Sequence, residues 1–138
     1  MKSIKNVCII AFIIITTFAC SSDDDSSGDT TGDNQTKIIG SWRYTSGTTN
    51  GEADTLSDCD LMDTATFTTS QVTFAYFEGV NCEDTGSETI NYTINGNNIS
   101  LSLNNETYTS EILTLNNTTL TLKDSDGGDV YTDTYTKL

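Results

Sequence analysis

From residue 38 to the C-terminus the chain runs in short alternations of apolar and polar residues. Ile90-Asn91-Tyr92-Thr93-Ile94 is typical, with apolar residues two apart and Asn or Thr between them. Successive side chains on a strand point to opposite faces, so a period of two marks a strand with one face buried. No stretch here keeps a 3.6-residue apolar stripe. Asn, Gly and Asp break the alternations, and proline is absent. Eight strands are predicted: 38–46, 61–69, 72–78, 87–94, 98–103, 106–115, 119–124 and 129–137.

The turns predict how these strands pair. Asn95-Gly96 is the strongest hairpin signal, because a type I′ turn needs positive φ at both central residues. Folding about it sets Tyr92 opposite Ile99 and Ile90 opposite Leu101. Asn104-Asn105 sets Leu101 opposite Tyr108, and Asn116-Asn117 sets Leu113 opposite Leu120. Asp126-Gly127-Gly128-Asp129 brings Leu120 opposite Tyr135. Apolar meets apolar on one face, as register requires. Thr and Asn take the other face.

Four cysteines are present. A hairpin centred on Ser70-Gln71 sets Phe67 opposite Phe74 and Ala65 opposite Tyr76. Continued outward, that register places Cys59 opposite Cys82 with matched parity, so a disulfide is expected in an exported domain. By the loop-entropy account it adds about 3 kcal/mol.

Eight up-and-down strands with short turns predict an all-β domain, closed as an antiparallel barrel or packed as a sandwich. Closure removes the exposed edges, which few charges and no prolines here would protect. Alternation sorts the connections between two ends. Loops 46–60, 79–86, 104–105 and 124–129 share one end, and turns 70–71, 95–97 and 116–118 share the other. The first end holds every long loop and the acids Glu52, Asp54, Asp58, Asp60, Glu83, Asp84, Asp124, Asp126 and Asp129. The chain enters the barrel at the second.

The N-terminus has a different character. Lys2 and Lys5 precede a short apolar run, Val7 to Phe18, and Ala19-Cys20 follows. The run is too short for a spanning helix and reads as a secretory signal. A cysteine directly after the small residue resembles the lipobox of bacterial lipoproteins, with Thr17 where leucine is usual. The resemblance implies cleavage before Cys20 and acylation of Cys20. Ser21-Ser22-Asp23-Asp24-Asp25 resembles the export tag of Bacteroidota surface lipoproteins, which implies the outer face of the outer membrane. Ser21 to Thr36 has no large apolar residue, so a disordered tether is expected. The predicted organisation is signal 1–19, tether 20–36 and barrel domain 37–138.

Charge narrows the function. The formal net charge is −14, and losing Lys2 and Lys5 takes it to about −16. Such a chain repels nucleic acid and anionic head groups. Expected partners are the membrane, through the lipid, and neutral, apolar or cationic molecules. A monomer is expected. There is no histidine, which removes the commonest general base and metal ligand. No phosphate loop or Cys-x-x-Cys is present either, so neither catalysis nor a cofactor is expected. Asp124 to Asp129 loosely resembles a calcium loop but lacks its third alternating ligand and terminal glutamate. It reads better as a glycine hairpin, and no metal is expected.

Ile39-Gly40-Ser41-Trp42 on the first strand resembles the Gly-x-Trp of lipocalins. Followed by Cys59, Thr66-Phe67, Cys82 and the segment Ile112 to Leu122, it resembles the lipocalin-like domain of Bacteroidota lipoproteins over residues 37–138. The resemblance implies an eight-stranded up-and-down β-barrel, with Trp42 plugging one end, that can hold a small apolar molecule. Lipocalins cover this tryptophan with a late arginine. The only arginine here is Arg43, so Lys123 or Lys137 would have to substitute. Candidate ligand-lining residues are Phe67, Phe74, Tyr76, Ile90, Tyr92, Ile99, Leu101 and Tyr108. Inward residues look alike whether they line a pocket or fill it, so a filled barrel acting as a structural or protein-interaction module is the alternative.

Overall fold

The structure is a computed structural model that describes residues 30–138. The signal, Cys20 and the acidic run after it lie outside the described residues.

Nine strands follow one helix: α1 (Thr30–Lys37), β1 (Gly40–Thr49), β2 (Glu52–Ala53), β3 (Thr64–Phe67), β4 (Gln71–Glu78), β5 (Asp84–Asn95), β6 (Asn98–Leu103), β7 (Glu106–Leu115), β8 (Thr119–Asp126) and β9 (Asp129–Lys137). Eight of them, β1 and β3 to β9, pair in chain order, and β1 also pairs with β9 from Trp42↔Lys137 to Thr49↔Tyr131. The sheet is therefore a closed, antiparallel, up-and-down barrel. β2 is a short flap on β1, formed where Asn50 and Gly51 both take positive φ. Asp60–Met62 is one turn of 3-10 helix, so the strand expected over 61–69 begins only at Thr64.

Alternation distributes the residues as polarity demands. Trp42, Phe67, Val72, Ile90, Tyr92, Ile94, Ile99, Ile112, Leu120 and Tyr135 form one buried cluster. The outer face is lined with Thr, Ser and Asn. Ser41 meets Thr66, Thr73 meets Thr89, and Ser100 meets Thr109 across neighbouring strands at 2.9–3.2 Å. Such cross-strand pairs stabilise a sheet where no core is available.

Two hairpins follow the predicted register: Leu101 faces Tyr108 and Leu120 faces Tyr135. Three are corrected. The turn after β5 is Gly96-Asn97, so Tyr92 faces Leu101 and Ile94 faces Ile99. Gly96 has φ of 60° while Asn97 stays out of the positive region, the type II′ arrangement with glycine first. Between β3 and β4 the Thr68 hydroxyl accepts the Gln71 N–H at 3.1 Å. This holds a tight turn over residues 68–71 and sets Phe67 opposite Val72 and Ala65 opposite Phe74. In both cases the slip is two residues, so the inward set is unchanged. Between β7 and β8 the Asn116 side chain accepts the Thr118 and Thr119 N–H groups at 2.9 Å. Leu115, not Leu113, then faces Leu120. A bulge between Ile112 and Thr114 returns Ile112 to the interior and leaves Leu113 47% exposed.

The end carrying the short turns is closed. Residues 30–36, expected as tether, belong to α1, which has no apolar stripe of its own. Its anchor is Asn34, whose amide donates to the Gly96 carbonyl at 3.0 Å and to Asn97 Oδ1 at 3.1 Å. Asp33 and Lys37 pair one helical turn apart. Ile38, expected on the first strand, lies just beyond the helix and is fully buried, and its carbonyl accepts the Trp42 indole N–H at 2.7 Å. Lys137 lies over the indole with Nζ 4.9 Å from the ring centre. Gly40 permits this: its φ is 129°, and a Cβ there would sit 3.0 Å from Lys137 Cε.

Candidate functional site

The opposite end carries the long loops, and they are tied together. Cys59 and Cys82 form a disulfide with Cα atoms 5.2 Å apart. Pairing is as expected, but the geometric reason differs. Cys59 caps the 3-10 turn and Cys82 lies in a turn with φ of 56°. The bridge therefore joins two loops rather than extending the β3–β4 ladder.

Beside the bridge is a cavity of about 1200 Å³. The 55–63 loop covers one side, the turn at 79–82 forms the rim, and the inner faces of β4 and β5 form the wall. Its apolar surface comes from Leu56, Phe74, Tyr76, Phe77 and Val80. Tyr76 reaches across Gly86 on β5; a Cβ at Gly86 would lie 2.2 Å from the ring. Glycine at that position lets the phenol lie flat against the neighbouring strand.

Carboxylates complete the lining: Asp58, Asp60, Asp63, Glu78 and Glu88. Asp63 continues the inward parity of Ala65 and Phe67, and its Oδ1 accepts the Phe77 N–H at 2.9 Å. Burial pushes its carboxyl above the usual range, the Phe77 N–H opposes that, and the nearby Asp60 adds to it. Glu88 continues the parity of Ile90 and Tyr92 and pairs with Phe74 across the β4–β5 ladder.

A second acidic group faces inward from β8 and β9. Leu122 pairs with Asp133 and Asp124 pairs with Tyr131. The Tyr44 hydroxyl reaches Asp133 Oδ1 at 3.4 Å. Burial raises the carboxyl of Asp133, and burial followed by the charge of Asp133 raises that of Asp124. The Tyr44 phenol is pushed well above its ordinary value, first by burial and then by the charges of Asp133 and Asp54. Asp124 Oδ1 is buried without a partner among the described residues. No group of three or more Asp, Glu, Cys or His side chains among the described residues is placed to hold a metal ion.

Of the eight candidate lining residues, the cavity brings together Phe74 and Tyr76. Phe67, Ile90, Tyr92 and Ile99 belong to the packed core, and Leu101 packs against it. The Tyr92 hydroxyl donates to the Thr68 carbonyl at 2.6 Å, at the closed end. Tyr108 faces inward near the open end, half-buried, with its hydroxyl on Glu106. Trp42 stands in the closed end. Leu56, Asp63 and Glu88 were not foreseen. Parity could have flagged the two acids, since each falls on the apolar face of its own alternation.

With this geometry the chain can be compared with known proteins. The family model for the lipocalin-like domain matches residues 38–122, well over half the chain. The chain belongs to the lipocalin-like domain family. Among solved structures it is similar to a lipocalin-like protein from Bacteroides uniformis, with a TM-score of 0.58 at 13% identity over 74% of this chain and 99% of that one. An uncharacterized protein from Bacteroides eggerthii gives a TM-score of 0.55 at 11% identity, over 73% of this chain and 99% of that one. These likenesses show the fold. Bovine odorant binding protein, solved with a selenium-containing odorant, gives 0.48 at 14% identity, over 86% of this chain and 78% of that one. No curated protein matches the sequence.

Proposed function

We propose that this protein is a surface lipoprotein, held to the outer membrane by acylated Cys20, whose barrel binds a small apolar or amphipathic molecule at its open end. The lipocalin fold is typically one for binding small hydrophobic molecules rather than for catalysis. The observation that carries the reading is the cavity of about 1200 Å³ beside the disulfide. Its volume suits a ligand of a few hundred daltons, and its wall offers aromatic faces next to polar groups. The lipid anchor rests on the lipobox-like Ala19-Cys20 and the acidic run after it. The closed end holds α1, so a tether from Cys20 would leave the cavity facing away from the membrane.

Native mass spectrometry of the protein purified from its host tests this reading. The expected spectrum shows an acylated N-terminal cysteine and a noncovalent companion that is lost on collisional activation. An unacylated chain would overturn the anchor, and an empty barrel after gentle detergent exchange would overturn the binding function.

A second reading has its own observation. Leu61, Met62 and Val80 are exposed on the disulfide-tied loops, Val80 by 94%, and would suit a protein-interaction module. An empty barrel with a protein companion in the same spectrum would favour it.

A further inference from the structure

The cavity wall carries information about the charge of its occupant, and this inference rests on the binding function proposed above. Asp63 lines the cavity yet is only 5% exposed. One carboxylate oxygen accepts the Phe77 N–H, and among the described residues no donor reaches the other. Glu88, half-buried, also points inward, and among the described residues it makes no hydrogen bond or ion pair. A carboxylate buried as deeply as that of Asp63 costs stability unless something pairs with it.

The two acids are placed around one feature. Phe74 and Tyr76 point inward from β4. Asp63 precedes β3, on one side of β4, and Glu88 lies on β5, on the other. The aromatic pair is thus flanked by a carboxylate from each side. Asp58, Asp60 and Glu78 add three more acids to the lining, and among the described residues no Lys or Arg contributes to it. A concave wall of one sign concentrates opposite charge and repels like charge. Aromatic faces favour cations too. Glu88, opposite Phe74, lies deeper than the Tyr76–Gly86 and Glu78–Asp84 pairs, whereas Val80 lies at the rim.

We infer that the cavity takes a cationic amphiphile, with a protonated amine seated among Asp63, Glu88 and the face of Phe74, and an apolar chain laid over Tyr76 and Leu56 toward Val80. Fatty acids and other anionic amphiphiles are excluded by the same wall. Selection by charge lies beyond what a barrel with an apolar lining would provide.

Three ten-carbon probes separate the terms: decylammonium, decanol and decanoate, titrated calorimetrically at pH 7 and low salt below their aggregation limits. The amine is expected to bind at least tenfold tighter than the carboxylate, with the alcohol between them. Half-molar sodium chloride should narrow that gap. Glu88→Gln should weaken the amine at least fivefold more than the alcohol. Asp63→Asn keeps an acceptor for the Phe77 N–H and should act in the same direction. Decanol binding with no preference for the amine, or an amine preference that neither variant changes, would overturn this inference alone. Failure of all three probes to bind would overturn it together with the proposed binding function.

Discussion

Lys137 holds its ammonium 4.9 Å from the centre of the Trp42 indole while donating to the Lys37 carbonyl at 3.3 Å. The first and last barrel strands therefore meet through a cation on an aromatic face as well as through backbone pairing. Of the two lysines open to this role in the sequence, Lys123 is the one that does not take it; it faces outward, 3.8 Å from Glu111. Lys137→Met should cost about 1 kcal/mol, and Lys137→Arg should retain most of the stability. Urea unfolding followed by fluorescence checks this, since Trp42 is the sole tryptophan. An unchanged midpoint for Lys137→Met would mean that the pair contributes nothing.

The Cys59–Cys82 bridge closes a chain segment with a sequence separation of 23. Replacing both cysteines with serine should lower stability by about 3 kcal/mol, chiefly by freeing the unfolded chain. Because the bridge joins loops, the barrel ladder should persist. Far-ultraviolet circular dichroism of the folded variant should match the parent, while the denaturant midpoint falls. A collapsed spectrum under native conditions would mean that the bridge is needed for the strands themselves.

Acidity should stabilise the interior. Burial holds the carboxyl of Asp133 above its ordinary value, although the Tyr44 hydroxyl opposes this and Asp54 adds to it. Asp124 and Asp63 shift in the same direction. A raised native pKa means that the folded state binds more protons than the unfolded one between the two values. Stability therefore falls as pH rises from the ordinary carboxylate range through the raised native values, and is higher on the acid side of that window. Melting temperatures between about pH 4 and pH 8 should show this slope. Asp133→Asn should raise the neutral-pH value and flatten the slope, and the exposed control Asp126→Asn should do so less. Equal effects from the two would assign the slope to general charge repulsion.

Alternation made the barrel legible, and turn chemistry made part of its register legible. Asn104-Asn105 and Gly127-Gly128 adopt positive φ at both positions, and their hairpins pair as expected. Two of the three shifted hairpins are held by a side chain outside the turn proper, Thr68 before β4 and Asn116 before β8. In the third, the glycine of Asn95-Gly96 takes the first turn position instead of the second. At the β3–β4 and β5–β6 turns the two-residue slip preserves parity and the inward set survives the wrong centre, whereas the bulge after Ile112 turns Leu113 outward. α1 was illegible because its stability comes from Asn34 and from Ile38 beyond its end, neither of which makes an amphipathic pattern. Of the eight candidate ligand residues, two, Phe74 and Tyr76, line the cavity. Parity identifies what faces inward, as it does for Ile99 and Tyr76 alike, but depth along the axis separates floor from wall. The acids at 63 and 88 sit on apolar faces of their alternations, and such breaks in pattern are where a site departs from the rules of its fold.

The proposed anchor at Cys20 makes its own prediction. Cys20→Ala should abolish incorporation of radiolabelled palmitate and release the protein from membranes. Replacing Asp23, Asp24 and Asp25 with alanine should leave acylation intact but remove the domain from the reach of protease added to whole cells. Label in the Cys20→Ala protein would contradict the lipobox. Unchanged shaving of the triple variant would reduce the acids to a spacer.

On the function proposed above, the disulfide-tied end, and not the end held by α1 and Trp42, receives a small molecule. Titration with the apolar fluorophore N-phenyl-1-naphthylamine tests it most directly. The expected result is saturable binding at one site with a blue-shifted emission. Leu56→Trp, filling the cavity beside Tyr76, should weaken it at least tenfold, and Gln71→Trp, on the short turn at the other end, should leave it as it was. Absence of saturable binding, or loss through Gln71→Trp rather than Leu56→Trp, would contradict the account.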